Sequence, residues 1–482
     1  MRTLSNVIGG KRVAPASGSY LDSFNPATQE INARVPDSDA RDVEAAVRAA
    51  QAAFPAWSQM AVSRRSQILL AVAETLERRL EEFARAESED QGKPISLARR
   101  VDIPRAVTNF RHFGSLILHQ VEDASEVDQR ALNIAQRLPM GVCGLISPWN
   151  LPLYLATWKI APAIAMGNTC VVKPSEFTSV TAFMLMEVLE EAGVPPGVVN
   201  MVFGYGPKAG QALVEHPGVP LISFTGGTVT GKAILAASAT TVKKVGLELG
   251  GKNPNIIFDG ADIAAAASTS VRSSFQNQGE ICLCGSRILV HRQVYEPFKK
   301  AFLEAAAKFK VGDPSKDDTD MGPLVSKPHF EKVLSYIELA KKEGGRLLLG
   351  GDRPKLGENL EKGNFLNPTV FENLGPQCRV NQEEVFGPFV TLTPFDTEDE
   401  AVAMANGVGY GLSASVWERD ITKAHRVARR LEAGTVWVNT WMLRDLRVPF
   451  GGMKLSGLGR EGGSHSVDFY TQLKNICVNL EV

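Results

Sequence analysis

From residue 140 onward the chain alternates short apolar runs with helical patterns, and this alternation constrains its fold more than any other feature. The runs are GVCGLI at 141–146, TCVV at 169–172, VNMVF at 199–203 and LISF at 221–224, bounded by turn residues. Helical patterns lie between them, at Thr178–Ala192 and Pro207–Val214. Strand and helix in strict succession predict βαβ units and a parallel sheet with both faces covered, an α/β fold. A second series starts with NIIF near residue 255, continues through RILVH at 287–291 and the helical pattern Val294–Lys308, and ends with VWVN at 436–439. The boundary between the two series falls near Gly250-Gly251.

Upstream, Val43, Val47, Ala50 and Phe54 recur at helical spacing behind the capping run Asp37-Ser38-Asp39. Ile68, Val72, Leu76, Leu80 and Phe83 predict one further helix of five turns. The polar segment 121–138 and the tail 467–480 have strand character and predict an arm outside the main units. At 482 residues the chain is long enough for roughly three domains.

Charge narrows the function classes. The 52 Lys and Arg nearly cancel the 53 Asp and Glu, so neither nucleic acid nor an anionic membrane is expected as a partner. Six cysteines are too few for a disulfide framework and suit a reducing compartment. The first residues carry no apolar signal core, and the most apolar stretch, 151–167, is broken by Pro152, Lys159 and Pro162. A cytoplasmic enzyme is the expectation.

Two glycine-rich turns follow strands of the first series: Gly204 to Gly210, and GGTVTG from Gly226 to Gly231. Glycine lets a backbone approach a pyrophosphate, and the next helix N-terminus favours negative charge. Neither turn has the standard dinucleotide spacing, and a plain tight turn is the alternative. Glu176, in Lys173-Pro-Ser-Glu176 after TCVV, either grips a ribose diol or caps the next helix. In the ribose role its charge repels a 2′-phosphate and favours NAD over NADP.

Cys282 sits among small and polar residues in RSSFQNQGEICLCGSR, unlike Cys170 within TCVV. It is a candidate nucleophile that needs local activation. Zinc is a weak alternative, because Cys282-Leu-Cys284 lacks a second ligand pair, and no metal is expected. Glu248 lies between leucines ahead of paired glycines; partial burial makes it a usable general base, and an ion pair with Lys243 or Lys244 is the alternative.

LELGGKNP, with the Cys of GEICLCG 34 residues after its Glu, resembles the aldehyde dehydrogenase superfamily. SPWNLPL at 147–153, FTG at 224–226, EEVFGP at 383–388 and PFGGMKLSGLGRE at 449–461 resemble it too, in the expected order. The resemblance implies a Rossmann-like NAD-binding domain (1–120 and 139–249), an α/β catalytic domain (250–448) and a small β oligomerisation arm with its C-terminal linker (121–138 and 449–482). It implies a homodimer or homotetramer.

It also implies roles. Cys282 attacks the aldehyde, the Asn150 side-chain amide holds the oxyanion, and Glu248 activates water against the thioester. NAD is held by Lys173 and Glu176 at the adenine ribose and Glu384 at the nicotinamide ribose. Phe386 lies near the nicotinamide, with Ile146, Trp149, Gly226, Gly227, Gly231 and Leu249 lining the rest. Gly227 stands where many relatives have Ser or Glu, which shifts the pyrophosphate grip toward backbone amides. Cys284, two residues past the nucleophile, is read as a packing residue, with a resolving thiol as the alternative.

Within the superfamily the chain most resembles dehydrogenases of 2-aminomuconate and 2-hydroxymuconate semialdehyde, through Asp102 to Arg105, NLPLYLATWK at 150–159, VNTWMLRDLR at 438–447 and the tail from Gly459. That likeness implies a carboxylated aldehyde clamped by Arg105 and Arg444, against an apolar wall of Leu153, Trp158 and Leu443. Aldehyde dehydrogenases of other or broad specificity, and a non-catalytic nucleotide-binding protein, are the competing readings.

Overall fold

A computed structural model describes residues 1–480. The first sheet has the strand order 457–458, 244–248, 221–225, 142–146, 169–173, 199–201, 6–8 and 11–13. Its five central strands are parallel. The strand Val142–Ile146 has its successor Thr169–Lys173 on one side and Leu221–Thr225 on the other. The order reverses there, and a crevice opens at the carboxyl ends of such strands. Ile146, Lys173, Thr225 and Glu248 are the last residues of adjacent strands and so share the rim of that crevice.

The second sheet runs in the order 346–349, 369–372, 389–395, 287–291, 254–257, 413–417 and 435–438, all parallel except the first strand. Its buried faces pack on the helices Ile263–Phe275 and Tyr295–Ala307 on one side and Ile421–Arg430 on the other. A third, antiparallel sheet joins Asp123–Val127, Ala131–Pro139 and Thr471–Asn479. Residues Arg2–Thr3, Tyr20–Phe24 and Ile31–Pro36 form a small additional sheet that hydrophobic periodicity did not reveal.

Two expectations are redrawn, and the expected helix cap is present. The five-turn helix is two helices, Val62–Arg78 and Leu80–Gln91, because Arg79 leaves helical geometry (φ −97°, ψ 14°). Helix Ala40–Ser58 begins at Asp39, whose carboxylate accepts from the Arg41 N–H within a capping box completed by Asp42. The arm expected over 449–482 is smaller: Gly457–Leu458 pairs with Leu247–Glu248 in the first sheet, and Met453–Lys454 pairs with Tyr410–Gly411. Only Thr471–Asn479 joins the third sheet, and residues 481–482 lie outside the described residues. Among the described residues no helix is long and apolar enough to cross a membrane.

Candidate active site

The crevice between the two large sheets has a volume of about 290 Å³ and is lined by residues from both, including Trp149, Asn150, Gly227, Glu248, Cys282 and Glu384. Cys282 follows the turn Gln276–Gly279, which ends the helix Ile263–Phe275. In that turn Asn277, Gln278 and Gly279 all have positive φ (53°, 58° and 72°). The glycine is required twice, because a Cβ there would also lie 2.2 Å from the Gly387 oxygen. The turn ahead of Cys282 therefore sits directly on the loop that carries Glu384 and Phe386. Asn253 fixes the next stretch, its Nδ2 donating to the Cys282 carbonyl at 2.7 Å and to the Cys284 carbonyl at 2.9 Å.

The Cys282 thiol is pushed up to about 12, first by burial and then by the carboxylates of Glu384 and Glu248. At pH 7 such a thiol is ionised in about one molecule in 10⁵. Ionisation therefore depends on what enters the crevice. Cys284 packs with Ile281, Leu283, Leu412, Trp437 and Trp441 in an apolar cluster, and burial holds its thiol above the ordinary range as well.

Asn150 precedes the helix Pro152–Ala165, whose Pro152 is well suited to a first helical turn. Its side-chain Nδ2 donates to the Glu280 carbonyl at 2.9 Å. An amide has two N–H groups, so a second remains for the crevice.

Glu248 ends its strand, buried, with Oε2 bonded to no protein group. The alternative lysine pairing is not what forms: Lys243 Nζ donates to the carbonyls of His216 and Val219, and Lys244 Nζ to those of Asp468 and Thr471. Burial, followed by the nearby Glu461 carboxylate, holds Glu248 well above the usual carboxylate range, while Lys159, Arg444 and Arg460 oppose this. Lys159 Nζ bonds Ser223 Oγ at 2.9 Å and Glu461 Oε1 at 3.3 Å. The only sign of this pair in the sequence was a lysine inside an otherwise apolar helix.

The paired glycines after Glu248 make room for their neighbours. A Cβ on Gly250 would meet Glu384 Oε2 at 2.2 Å, and one on Gly251 would meet the Cys282 oxygen at 2.7 Å. The Gly251 N–H donates to Glu384 Oε1 at 2.8 Å. Phe386, at φ 61°, meets Trp149 edge-on with ring centres 5.3 Å apart.

Further along the rim, Gly227 is the N-cap of the helix Thr228–Ala239, makes no side-chain cap bond, and has open space where a Cβ would be. Gly231 lies one turn inside, where a Cβ would strike the Leu249 side chain at 2.5 Å. This open cradle of backbone N–H groups fits a pyrophosphate. Lys173 Nζ bonds Glu176 Oε2 at 3.3 Å. Glu176 caps no helix, since the next one starts at Val180 behind Ser179. Both glycine turns thus face the carboxyl ends of the strands, and the donor set suits a dinucleotide with free ribose hydroxyls.

Arg105 and Arg444 come together around Tyr154. Arg105 Cζ lies 5.3 Å from the Tyr154 ring centre and 5.7 Å from that of Trp158. Its Nε and Nη2 are buried without a protein partner. Arg444 Nη1 donates to Tyr154 Oη at 3.1 Å, and its Cζ stands 3.8 Å from the Phe450 ring centre. Both arginines open onto a groove of about 570 Å³ that His112 and Arg447 also line.

The apolar wall differs from expectation. Leu153 has no exposed surface and packs in the main core, Leu443 is 76% exposed, and Leu155 lines the crevice instead. Helix phase explains the exchange, because Leu155 is turned about half a circle from Leu153. His329 and Lys332 also line the crevice. They project from the helix Lys327–Lys342, whose ordinary amphipathic pattern gave no signal for them.

Comparison with known proteins agrees with this geometry. Residues 13–476 match the aldehyde dehydrogenase family. The chain is 56% identical to the 2-aminomuconic semialdehyde dehydrogenase of Danio rerio, with 98% of each chain covered. It is 47% identical to the 2-hydroxymuconic semialdehyde dehydrogenase of Pseudomonas sp. (strain CF600), with each chain fully covered. The crystal structure of PnpE, from Pseudomonas sp. WBC-3, in complex with nicotinamide adenine dinucleotide superposes with a TM-score of 0.98 at 41% identity, covering 99% of this chain and 98% of that one. By fold, by ordered motifs and by full-length similarity, this chain belongs to the aldehyde dehydrogenase family.

Proposed function

We propose that this aldehyde dehydrogenase oxidises a conjugated, carboxylated semialdehyde of the 2-aminomuconate or 2-hydroxymuconate type to the dicarboxylic acid, with NAD⁺ as acceptor. The observation that carries the reading is the pair Arg105 and Arg444 on either side of Tyr154, with two buried N–H positions of Arg105 unmet. A buried guanidinium with open donors is costly unless an anion completes it, and a carboxylate matches its planar fork. Leu155, which lines the crevice, offers apolar surface to the conjugated chain between carboxylate and aldehyde, while the buried Trp158 supports Arg105 from behind.

In this reading Cys282 Sγ adds to the aldehyde carbon, and the thiol proton passes to solvent water. The oxyanion of the thiohemiacetal takes the free N–H of Asn150. NAD⁺, when bound, would supply the two-electron acceptor for the hydride on that carbon, and loss of that hydride leaves a thioester on Cys282. Glu248 then takes a proton from water as the water oxygen attacks the thioester. The acid leaves, and the proton returns to the Cys282 thiolate. Lys173 and Glu176 hold the adenine ribose, and Glu384 the nicotinamide ribose. Glu176 repels a 2′-phosphate, which favours NAD⁺ over NADP⁺.

A cytoplasmic homo-oligomer is the setting that fits best. The strand Thr471–Asn479 is the exposed edge of its sheet, with Leu473 and Val478 facing solvent, as a strand that pairs across two copies requires.

The test is a panel of muconate semialdehydes, aliphatic aldehydes and semialdehydes with distal carboxylates, each with NAD⁺ and NADP⁺, followed by dinucleotide reduction. The expected result is a kcat/KM at least about 100-fold higher for the conjugated carboxylated substrates with NAD⁺, in line with one paired charge-assisted contact. Equal efficiency with an uncharged aldehyde of the same length would overturn the substrate assignment.

A further inference from the structure

Asn150 projects from a turn whose backbone is held by a buried charged cluster outside the chemistry described above. The Asn150 carbonyl accepts two hydrogen bonds, from Lys93 Nζ at 3.2 Å and from Asn277 Nδ2 at 3.1 Å. Lys93 is fully buried. Its ammonium also donates to Asp102 Oδ1 at 2.7 Å and lies 3.7 Å from Glu87 Oε1. Glu87 accepts in turn from the Leu153 N–H at 3.4 Å and the Thr181 hydroxyl at 2.6 Å. One cluster therefore grips the turn 150–153 at both ends.

A neutral amide could satisfy a lone carbonyl at far lower desolvation cost than an ammonium with two carboxylates. What the ionic cluster adds is definition of place: Lys93 is held by Asp102, and the Asn150 backbone is held by Lys93. The side-chain amide has one N–H committed to Glu280, so its remaining N–H points wherever the backbone sets it. Asn277, the other donor, belongs to the nucleophile turn and donates to the Glu280 carbonyl as well, at 3.2 Å. Lys93 thus stands at the junction of the oxyanion donor and the nucleophile loop without itself lining the crevice.

We propose that Lys93 is a positioning residue for oxyanion stabilisation, acting through the Asn150 carbonyl to fix the aim of the Asn150 amide. The assignment rests on the oxyanion role given to Asn150 under the proposed function. Displacement of a donor by a fraction of an ångström weakens it selectively in the transition state, so kcat suffers while ground-state binding is kept.

A double-mutant cycle tests this. In the otherwise native enzyme K93M lowers kcat at least tenfold, with KM for the aldehyde and the NAD⁺ dissociation constant within threefold. K93Q, which keeps a donor, recovers at least a third of the lost rate. In the N150A background the same K93M change lowers the residual kcat less than twofold, because the amide it positions is gone. Should K93M alone lose NAD⁺ binding, the charge-neutral pair K93M/D102N takes its place in the cycle. Equal fold-losses in both backgrounds, kcat above a third of native in K93M, or loss of NAD⁺ binding in both replacements overturns the assignment. Near-native kcat in N150A removes the oxyanion reading itself, and this assignment with it, an outcome distinct from a crippled N150A beside an active K93M.

Discussion

Trp158 Nε1 donates a 2.5 Å hydrogen bond to Glu461 Oε2. One face of that indole lies beneath Arg105, and its edge reaches the carboxylate that acts on Glu248. One buried indole therefore touches both Arg105 and the carboxylate that raises Glu248. The negative charge that raises Glu248, beyond burial, is that of Glu461, and removing it tests Glu248 as the proposed base.

For E461Q the sign is fixed. Glu461 raises the Glu248 pKa, and Lys159 nearby lowers it. Deleting the carboxylate removes the first effect and leaves the second, so Glu248 ionises at lower pH. The ascending limb of acyl-enzyme hydrolysis, followed by single turnover, is expected to move to lower pH. An unmoved limb means that Glu248 is not the group titrating.

C282A is expected to abolish dehydrogenase turnover, while C284A retains most of it, since Cys284 is a packing residue in the cluster with Trp437 and Trp441. In the ligand-free enzyme the rate of Cys282 alkylation by iodoacetamide is expected to climb through pH 10 without a plateau, following a thiol held at about 12. A plateau near pH 7 would place an ionising influence in the empty crevice that the surrounding carboxylates do not supply.

R444A is expected to raise KM for a carboxylated semialdehyde at least about tenfold, or ~1.4 kcal/mol, with little change for benzaldehyde. Because Arg444 also bonds Tyr154, Y154F is the control: it removes that hydrogen bond and leaves both guanidiniums in place. Parallel losses on both substrates in R444A would reduce the arginine to a support for the helix.

G279A forces the nucleophile turn away from the Gly387 carbonyl, where the added methyl would stand 2.2 Å from oxygen. A shift of about 1 Å in the position of Cys282 is enough to cost on the order of 100-fold in kcat/KM. The same shift pushes on the loop bearing Glu384 and Phe386, so weaker NAD⁺ binding by equilibrium titration is expected alongside. Native NAD⁺ affinity with reduced kcat would confine the disturbance to the thiol.

Elements whose register is imposed by burial on both faces were legible in the residues themselves. The strand 287–291 matches its apolar run residue for residue, and 142–146 differs by one. Their apolar continuity is what a strand buried between helix layers requires. The first 36 residues were silent because their strands are short and half-exposed, so no periodicity accumulates. Cys282, Glu248 and Asn150 were identifiable through ordered motifs. Lys159, Glu461, Lys93 and His329 were not, because each acquires its meaning from a partner far away in sequence. Leu153 shows the converse failure. Its neighbours in the motif were informative, but about half a turn of helix decides which leucine meets the crevice and which meets the core.

The pairing of Gly457–Leu458 with Leu247–Glu248 has a consequence for the order of events during synthesis. Domains of large proteins generally fold as they emerge, beginning from the N-terminus. Here the outer edge of the first sheet, next to Glu248, stays open until residues beyond the whole second sheet have been made. Glu461, whose charge adds to burial in raising Glu248, arrives at the same moment. A nascent chain that has emerged only through the second sheet therefore still lacks both the strand and the carboxylate that border Glu248.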